Sequence, residues 1–197
     1  MNDKRNYICA EYYQNLHDTN HAFMKNNWLL NELDFIKKIA GDTNSVLELG
    51  CGNGRFLELA AGIWQDVTGV DWAVSGYLDN LLRMHENIKF VHADIATLKF
   101  QQKYDLIVSA DFLEHLPKEL LGPVITEALR AGRINFHKVA CYDDGHSHLS
   151  ILSPEEWLTI FNAQPGGECI RIVHSELRKG NPNNIVIALS NGSGERP

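Results

Sequence analysis

Residues 45–56 read "SVLELGCGNGRF". A short apolar run ending at Leu49 meets glycines at 50, 52 and 54, then Arg55 and a second apolar stretch from Phe56. That order predicts a buried strand, a tight loop and the start of a helix. One glycine is enough to turn a strand into a helix. Three at alternate positions strip the loop of side-chain bulk, so the backbone can bend sharply and a ligand can approach it.

Outward from this loop the pattern alternates. "DVTGV", "IKFVHA", "YDLIVSA" and "INFHKVACY" read as further strands. "VSGYLDNLLRMHE", "PKELLGPVITEALRAG" and "SPEEWLTIFNA" read as helices, the last with Ser153 as N-cap, Pro154 at its first position and Glu156 two residues on. "CIRIVHSEL" and "NNIVIALS" are joined only by "RKGNP", too short for a crossover helix, so these two strands pair antiparallel. Ahead of all of them, Tyr7 to about Ile39 reads as helical, with Trp28, Leu29, Leu33, Ile36 and Ile39 at helical spacing. Trp28 and Trp157 read as core. The fold class is α/β, a single doubly wound sheet ending in an antiparallel hairpin.

The chain has 197 residues, enough for one domain with a proper core. A net charge of −7 disfavours a nucleic-acid partner, and Arg171, Arg178 and Lys179 are too thin a basic patch to change that. No apolar run approaches the roughly 20 residues of a membrane span. The first residues lack the apolar core of a secretory signal, so a cytoplasmic location is expected. Cys9, Cys51, Cys141 and Cys169 are scattered with no paired spacing, which argues against zinc and for reduced thiols.

In open parallel sheets ligands bind beyond the carboxyl ends of the strands, where the strand order reverses. A dinucleotide fingerprint needs a third glycine where this chain has Arg55, which weakens a nicotinamide reading. Asp71 ends the second strand, 17 residues past Gly54, where a carboxylate suits ribose hydroxyls. Asp94 ends the third, suited to the exocyclic amine of adenine, with Ile95 beside it to pack the ring. Glu48, before the glycines, could orient a ligand amine.

"VLELGCGNG", "VTGVDW", "FVHADI" and "YDLIVSADFLEHL", in this order, resemble the successive motifs of class I S-adenosylmethionine-dependent methyltransferases. The resemblance is strong from Val46 to Leu116, and the strand order continues to Leu189. It implies a seven-stranded sheet, mostly parallel, with its last strand antiparallel. It divides the chain into an N-terminal helical segment (1–40) on the substrate side, a catalytic domain (41–191) that binds the methyl donor, and a disordered tail (192–197). It places Gly50, Cys51, Gly52 and Gly54 against the methionine part of the cofactor, Asp71 on the ribose, and Asp94, Ile95 and Trp72 at the adenine, with Glu48 and Ala110 completing the site.

Methyl transfer from a sulfonium needs acceptor, methyl and sulfur held in line with water excluded, and a hydroxyl acceptor gains from a general base. The segment after the fourth strand is "SADFLEHLP", similar to the branch acting on small molecules and unlike the "NPPY"-type segments of amide or nucleobase enzymes. Asp111, Glu114 and His115 share one side of a helical turn there. With His148, His115 and Asp111 are the catalytic candidates, His148 being preferred as base. The spacing D-x-x-E-H is also similar to metal motifs of small-RNA and some quinone-pathway methyltransferases. A divalent ion on Asp111, Glu114, His115 and His148 is therefore conceivable, though relatives without metal carry the same residues for support. Tyr142, Asp144 and His146 crowd the loop after the fifth strand, and Tyr13 and His17 lie four apart near the N-terminus. These five are substrate-contact candidates.

The expected function is O-methylation of a small or sugar-like molecule by S-adenosylmethionine, yielding S-adenosylhomocysteine. Alternatives are a methyltransferase acting on RNA or protein, a non-catalytic cofactor-binding subunit, or a nucleotide-dependent oxidoreductase.

Overall fold

The computed structural model describes residues 9–19 and 27–193. Helix α1 (Ala10–Thr19) is followed, after a segment outside the described residues, by a 3-10 turn (Trp28–Glu32) that runs directly into α2 (Leu33–Ala40). The single helix expected from Tyr7 to Ile39 is thus at least two elements. Asn27 starts the second, its side chain accepting the Leu29 N–H at 2.9 Å. Residues 1–8, 20–26 and 194–197 lie outside the description.

The remaining elements are β1 (Ser45–Leu49), α3 (Arg55–Ala60), β2 (Asp66–Asp71), α4 (Gly76–Met84), β3 (Ile88–His92), β4 (Tyr104–Ala110), α5 (Lys118–Ala131), β5 (Gly132–Ala140), α6 (Pro154–Asn162), β6 (Arg171–Leu177) and β7 (Ile185–Ser190). The seven strands form one sheet in the order β3-β2-β1-β4-β5-β7-β6. All pairings are parallel except those of β7, which runs antiparallel to both β5 and β6. Strand order reverses between β1 and β4, and the glycine loop leaves β1 at that point.

Two apolar layers sandwich the sheet. On one face Ile36, Phe56, Leu78 and Leu81 of α2, α3 and α4 pack on Val46, Val67, Leu106 and Phe136. On the other, Val124, Ile125, Trp157 and Phe161 of α5 and α6 pack on Leu47, Ile107, Val139 and Leu189. Alternate residues of β1 and β4 therefore serve opposite layers, which is why these central strands read as unbroken apolar runs. The capping box on α6 forms as its sequence predicts: Ser153 Oγ accepts the Glu156 N–H at 3.2 Å and Glu156 accepts the Ser153 N–H at 2.7 Å. α5 runs straight into β5, whose first residue Gly132 still donates to the Ala128 carbonyl. Gly192, the first residue of the expected tail, is buried, donates to Ser190 Oγ at 2.9 Å and accepts from Arg171 at 3.0 Å.

Candidate functional site

A cavity of about 290 Å³ opens at the carboxyl ends of β1, β2 and β4 and is roofed by α1. The glycine loop forms its floor. Gly50, Gly52 and Gly54 all take left-handed backbone, at φ 68°, 51° and 73°. Their surroundings differ. A Cβ on Gly50 would meet Phe112 at 2.5 Å and one on Gly54 would meet Leu78 at 2.6 Å, whereas one on Gly52 would find nothing nearer than His17 at 3.8 Å. Gly50 and Gly54 are therefore set by packing, and Gly52 leaves open space above bare backbone.

Asp71 caps this floor. One carboxylate oxygen accepts the Gly52 N–H at 2.8 Å and the other the Ala73 N–H at 3.0 Å. Burial raises its pKa against those two amides. A carboxylate offers four lone-pair positions, so acceptor capacity remains for two vicinal hydroxyls. Trp72, Ala93, Asp94 and Ile95 continue the wall. Asp94 accepts the Ala96 N–H at 2.9 Å with one oxygen, which fixes its carboxylate at the rim.

Six sequence candidates lie off the wall: Glu48, Cys51, Gly54, Ala110, Glu114 and His146. Glu48 points below the loop, where Asn27 donates to one oxygen at 2.9 Å and the other is buried with no partner among the described residues. Burial drives its pKa well up. Cys51 is packed beneath the loop beside Gly69, and burial likewise raises its thiol pKa. Gly54 serves as the N-cap of α3.

At the opposite end the cavity meets the segment after β4. Asp111 has φ 53°, a left-handed conformation that aspartate tolerates better than most residues, and its N–H donates to the Lys138 carbonyl at 3.1 Å. His115 donates from Nδ1 to the Ser147 carbonyl at 3.1 Å and presents Nε2 to Asp111 Oδ1 at 3.8 Å. Burial opposes its charge, but Asp111 and Glu114 outweigh burial and lift its pKa to about 9. His148 donates from Nδ1 to the Tyr142 carbonyl at 2.5 Å, which leaves Nε2 as the acceptor nitrogen. Burial lowers its pKa, and its ring lies 5.0 Å from that of His115. Asp111, His115 and His148 each bring a donor atom within 4.8 Å of the others.

Glu114 is not part of that trio. It is fully buried and faces inward, accepting the Ala140 N–H at 2.7 Å, while its backbone carbonyl accepts from Leu149 and Ser150. It ties the turn after β4 to the loop after β5. Asp144 has a similar internal task. It accepts N–H groups from His146, Ser147 and His148 and contacts the Ser147 hydroxyl and His146 ring, and these donors hold its pKa down against burial. His146 is left on the surface.

Tyr13 and His17 reach the cavity from α1. Tyr13 lies 5.9 Å from both the Trp72 and His115 rings, and its hydroxyl is buried without a partner among the described residues. Gln14 fastens α1 down through both halves of its amide, donating to the Val74 carbonyl at 2.9 Å and accepting the Val74 N–H at 2.8 Å. Among the wall residues that sequence reasoning missed are Trp28, Arg178 and Phe112. Trp28 is on the wall as well as in the core, Arg178 lies over its ring at 4.2 Å, and Phe112 sits against Gly50. The only sequence signal for Arg178 was its place in the connection between the last two strands.

The sequence model of the methyltransferase domain family matches residues 46–133. The chain is 28% identical over 125 residues to (S)-coclaurine N-methyltransferase of Papaver somniferum, covering 60% of this chain and 36% of that protein. It is 30% identical over 94 residues to a ubiquinone biosynthesis O-methyltransferase of Bordetella avium, covering 43% of this chain and 38% of that one. The match thus spans little more than a third of the length of these curated relatives. Among solved structures, 1,6-didemethyltoxoflavin-N1-methyltransferase of Burkholderia thailandensis, with its substrate and S-adenosylhomocysteine bound, superposes with a TM-score of 0.73 at 16% identity, over 93% of this chain and 86% of that one. The N-methyltransferase NodS of Bradyrhizobium japonicum superposes with a TM-score of 0.66 at 16% identity, over 92% and 97%.

In fold the chain is similar to these S-adenosylmethionine-dependent methyltransferases, and residues 46–133 match the methyltransferase domain family. Within that class, relatives of this chain include both N- and O-methyltransferases.

Proposed function

We propose that the chain transfers the methyl group of S-adenosylmethionine to a hydroxyl of a small molecule. The arrangement of His148 carries this reading: its Nδ1 proton is committed to the Tyr142 carbonyl, so Nε2 is a lone-pair acceptor at the cavity wall. The floor fits the donor: bare backbone at Gly52, an anchored carboxylate at Asp71 with spare acceptor positions, and Asp94 with Ile95 beyond it.

When bound, S-adenosylmethionine supplies an electrophilic methyl on a sulfonium, which departs as a neutral thioether. The chain's part is positional and acid–base. Asp71 would hold the ribose hydroxyls, Asp94 and Ile95 the adenine, and the Gly50–Gly52 backbone the methionine portion. His148 Nε2 takes the acceptor's proton as the oxygen attacks, while α1 excludes water. His115 and Asp111 frame the acceptor side as an ionic pair.

The N-methyltransferases among the relatives favour a second reading, in which the acceptor is an amine. An amine attacks with its own lone pair, so losing His148 would cost it much less. The test has two stages. Calorimetry on the full chain is expected to show S-adenosylhomocysteine binding at micromolar strength or better. Labelled methyl uptake by a panel of phenols, sugars and amines, with and without EDTA, then identifies the acceptor. A chain that binds NAD and ignores S-adenosylhomocysteine refutes the reading. Activity abolished by EDTA and restored by a divalent ion would assign Asp111, His115 and His148 to a cation instead.

A further inference from the structure

The acceptor end of the cavity has an unusual charge arrangement. Four aspartates lie on the wall, at 71, 94, 111 and 144, against a single lysine or arginine, Arg178. Arg178 belongs to the reversal between β6 and β7, on the far side of the sheet from the glycine loop. One face of its guanidinium is covered by the Trp28 ring at 4.2 Å. Among the described residues no carboxylate, carbonyl or hydroxyl accepts a hydrogen bond from that guanidinium.

We propose that Arg178 is the acceptor's anchor, and that the acceptor is a small molecule carrying a carboxylate or phosphate. The proposal rests on the methyl-transfer reading of this cavity and narrows its substrate class. A guanidinium offers its N–H groups in a planar fork that matches an oxyanion, and stacking on Trp28 fixes that fork before the ligand arrives. Elsewhere among the described wall residues an anion would face carboxylates or His115, which is already paired with Asp111, so Arg178 is the cation left open to it. Tyr142 packs against the cluster that contains Trp28, the ring on which Arg178 lies. The Tyr142 ring in turn lies 5.2 Å from that of His148. Arg178 and His148 thus line one cavity and are linked through the Trp28 and Tyr142 side chains. A molecule pinned by its anion at Arg178 presents its nucleophile across Tyr142 to His148.

The experiment compares benzoate, phenyl phosphate and the neutral benzyl alcohol for binding to the full chain saturated with S-adenosylhomocysteine, using ligand-observed NMR and Trp fluorescence. At least one anion is expected to bind ten times more tightly than benzyl alcohol. Whichever anion does so gives the oxyanion class. Arg178→Gln should erase the preference and Arg178→Lys should retain only part of it. Both variants are checked by thermal unfolding and by their own S-adenosylhomocysteine affinity, which should be unchanged. Equal binding of anions and benzyl alcohol to the unaltered chain, or a preference that survives Arg178→Gln, overturns the proposal. Failure of S-adenosylhomocysteine to bind removes the methyl-transfer reading instead, and the anion comparison without it still judges Arg178.

Discussion

Two aspartates that look alike in sequence, Asp71 and Asp144, do different work. Asp71 spends one interaction per oxygen on backbone amides and keeps acceptor capacity facing the cavity. Asp144 receives three backbone amides and two side chains, which is the saturation of a loop organiser. Asp71→Ala is therefore expected to weaken S-adenosylhomocysteine binding at least tenfold by calorimetry, about the worth of one charge-assisted hydrogen bond. His148→Ala is expected to lower kcat for a hydroxyl acceptor by about 10²–10⁴, the usual range for a general base, with cofactor affinity changed less than about threefold. Equal losses in both would show that His148 supports the fold of the site and not the proton transfer.

The elements depend on buried charges that no motif announces. Lys138 of β5 is buried and pairs with Glu32 at 2.7 Å and Glu176 at 2.8 Å, joining the turn before α2 to β6. Lys138→Ala removes the buried cation that faces both Glu32 and Glu176, so a loss of about 3–5 kcal/mol is expected in denaturant unfolding. On α5, Glu127 accepts from Arg130 and from the Phe100 N–H at 2.7 Å, and the Arg130 bond above all draws its pKa down to about 2. A carboxylate depressed from its ordinary 4.5 stabilises the fold above that pH and loses the effect as pH falls toward 2. Glu127→Gln is thus expected to melt several degrees lower at neutral pH, with the gap closing between pH 4.5 and about 2 when both proteins are followed by calorimetry. The strands themselves were legible because their apolar runs and turn residues agree locally. The charged ties were not, since Glu32, Lys138 and Glu176 are far apart in the chain and meet only once the sheet has formed.

At the scale of the molecule, α1 is held over the cavity by Gln14 on Val74, just beyond the Asp71 that forms the floor. Gln14→Ala is expected to speed S-adenosylhomocysteine release several-fold in stopped-flow measurements while leaving thermal stability nearly unchanged. That Gly52, Asp71 and Asp94 would share one cavity wall was readable because each follows its strand in sequence. The place of Trp28 and Arg178 was not, since they come from segments far apart in the chain and only packing brings them to that wall. That division has an evolutionary consequence. The groups proposed to face the nucleotide hang from β1 to β3, whereas Arg178 hangs from a surface reversal at the other end of the strand order. Paralogues can exchange one kind of methyl acceptor for another by drift in that reversal, with the nucleotide grip inherited intact.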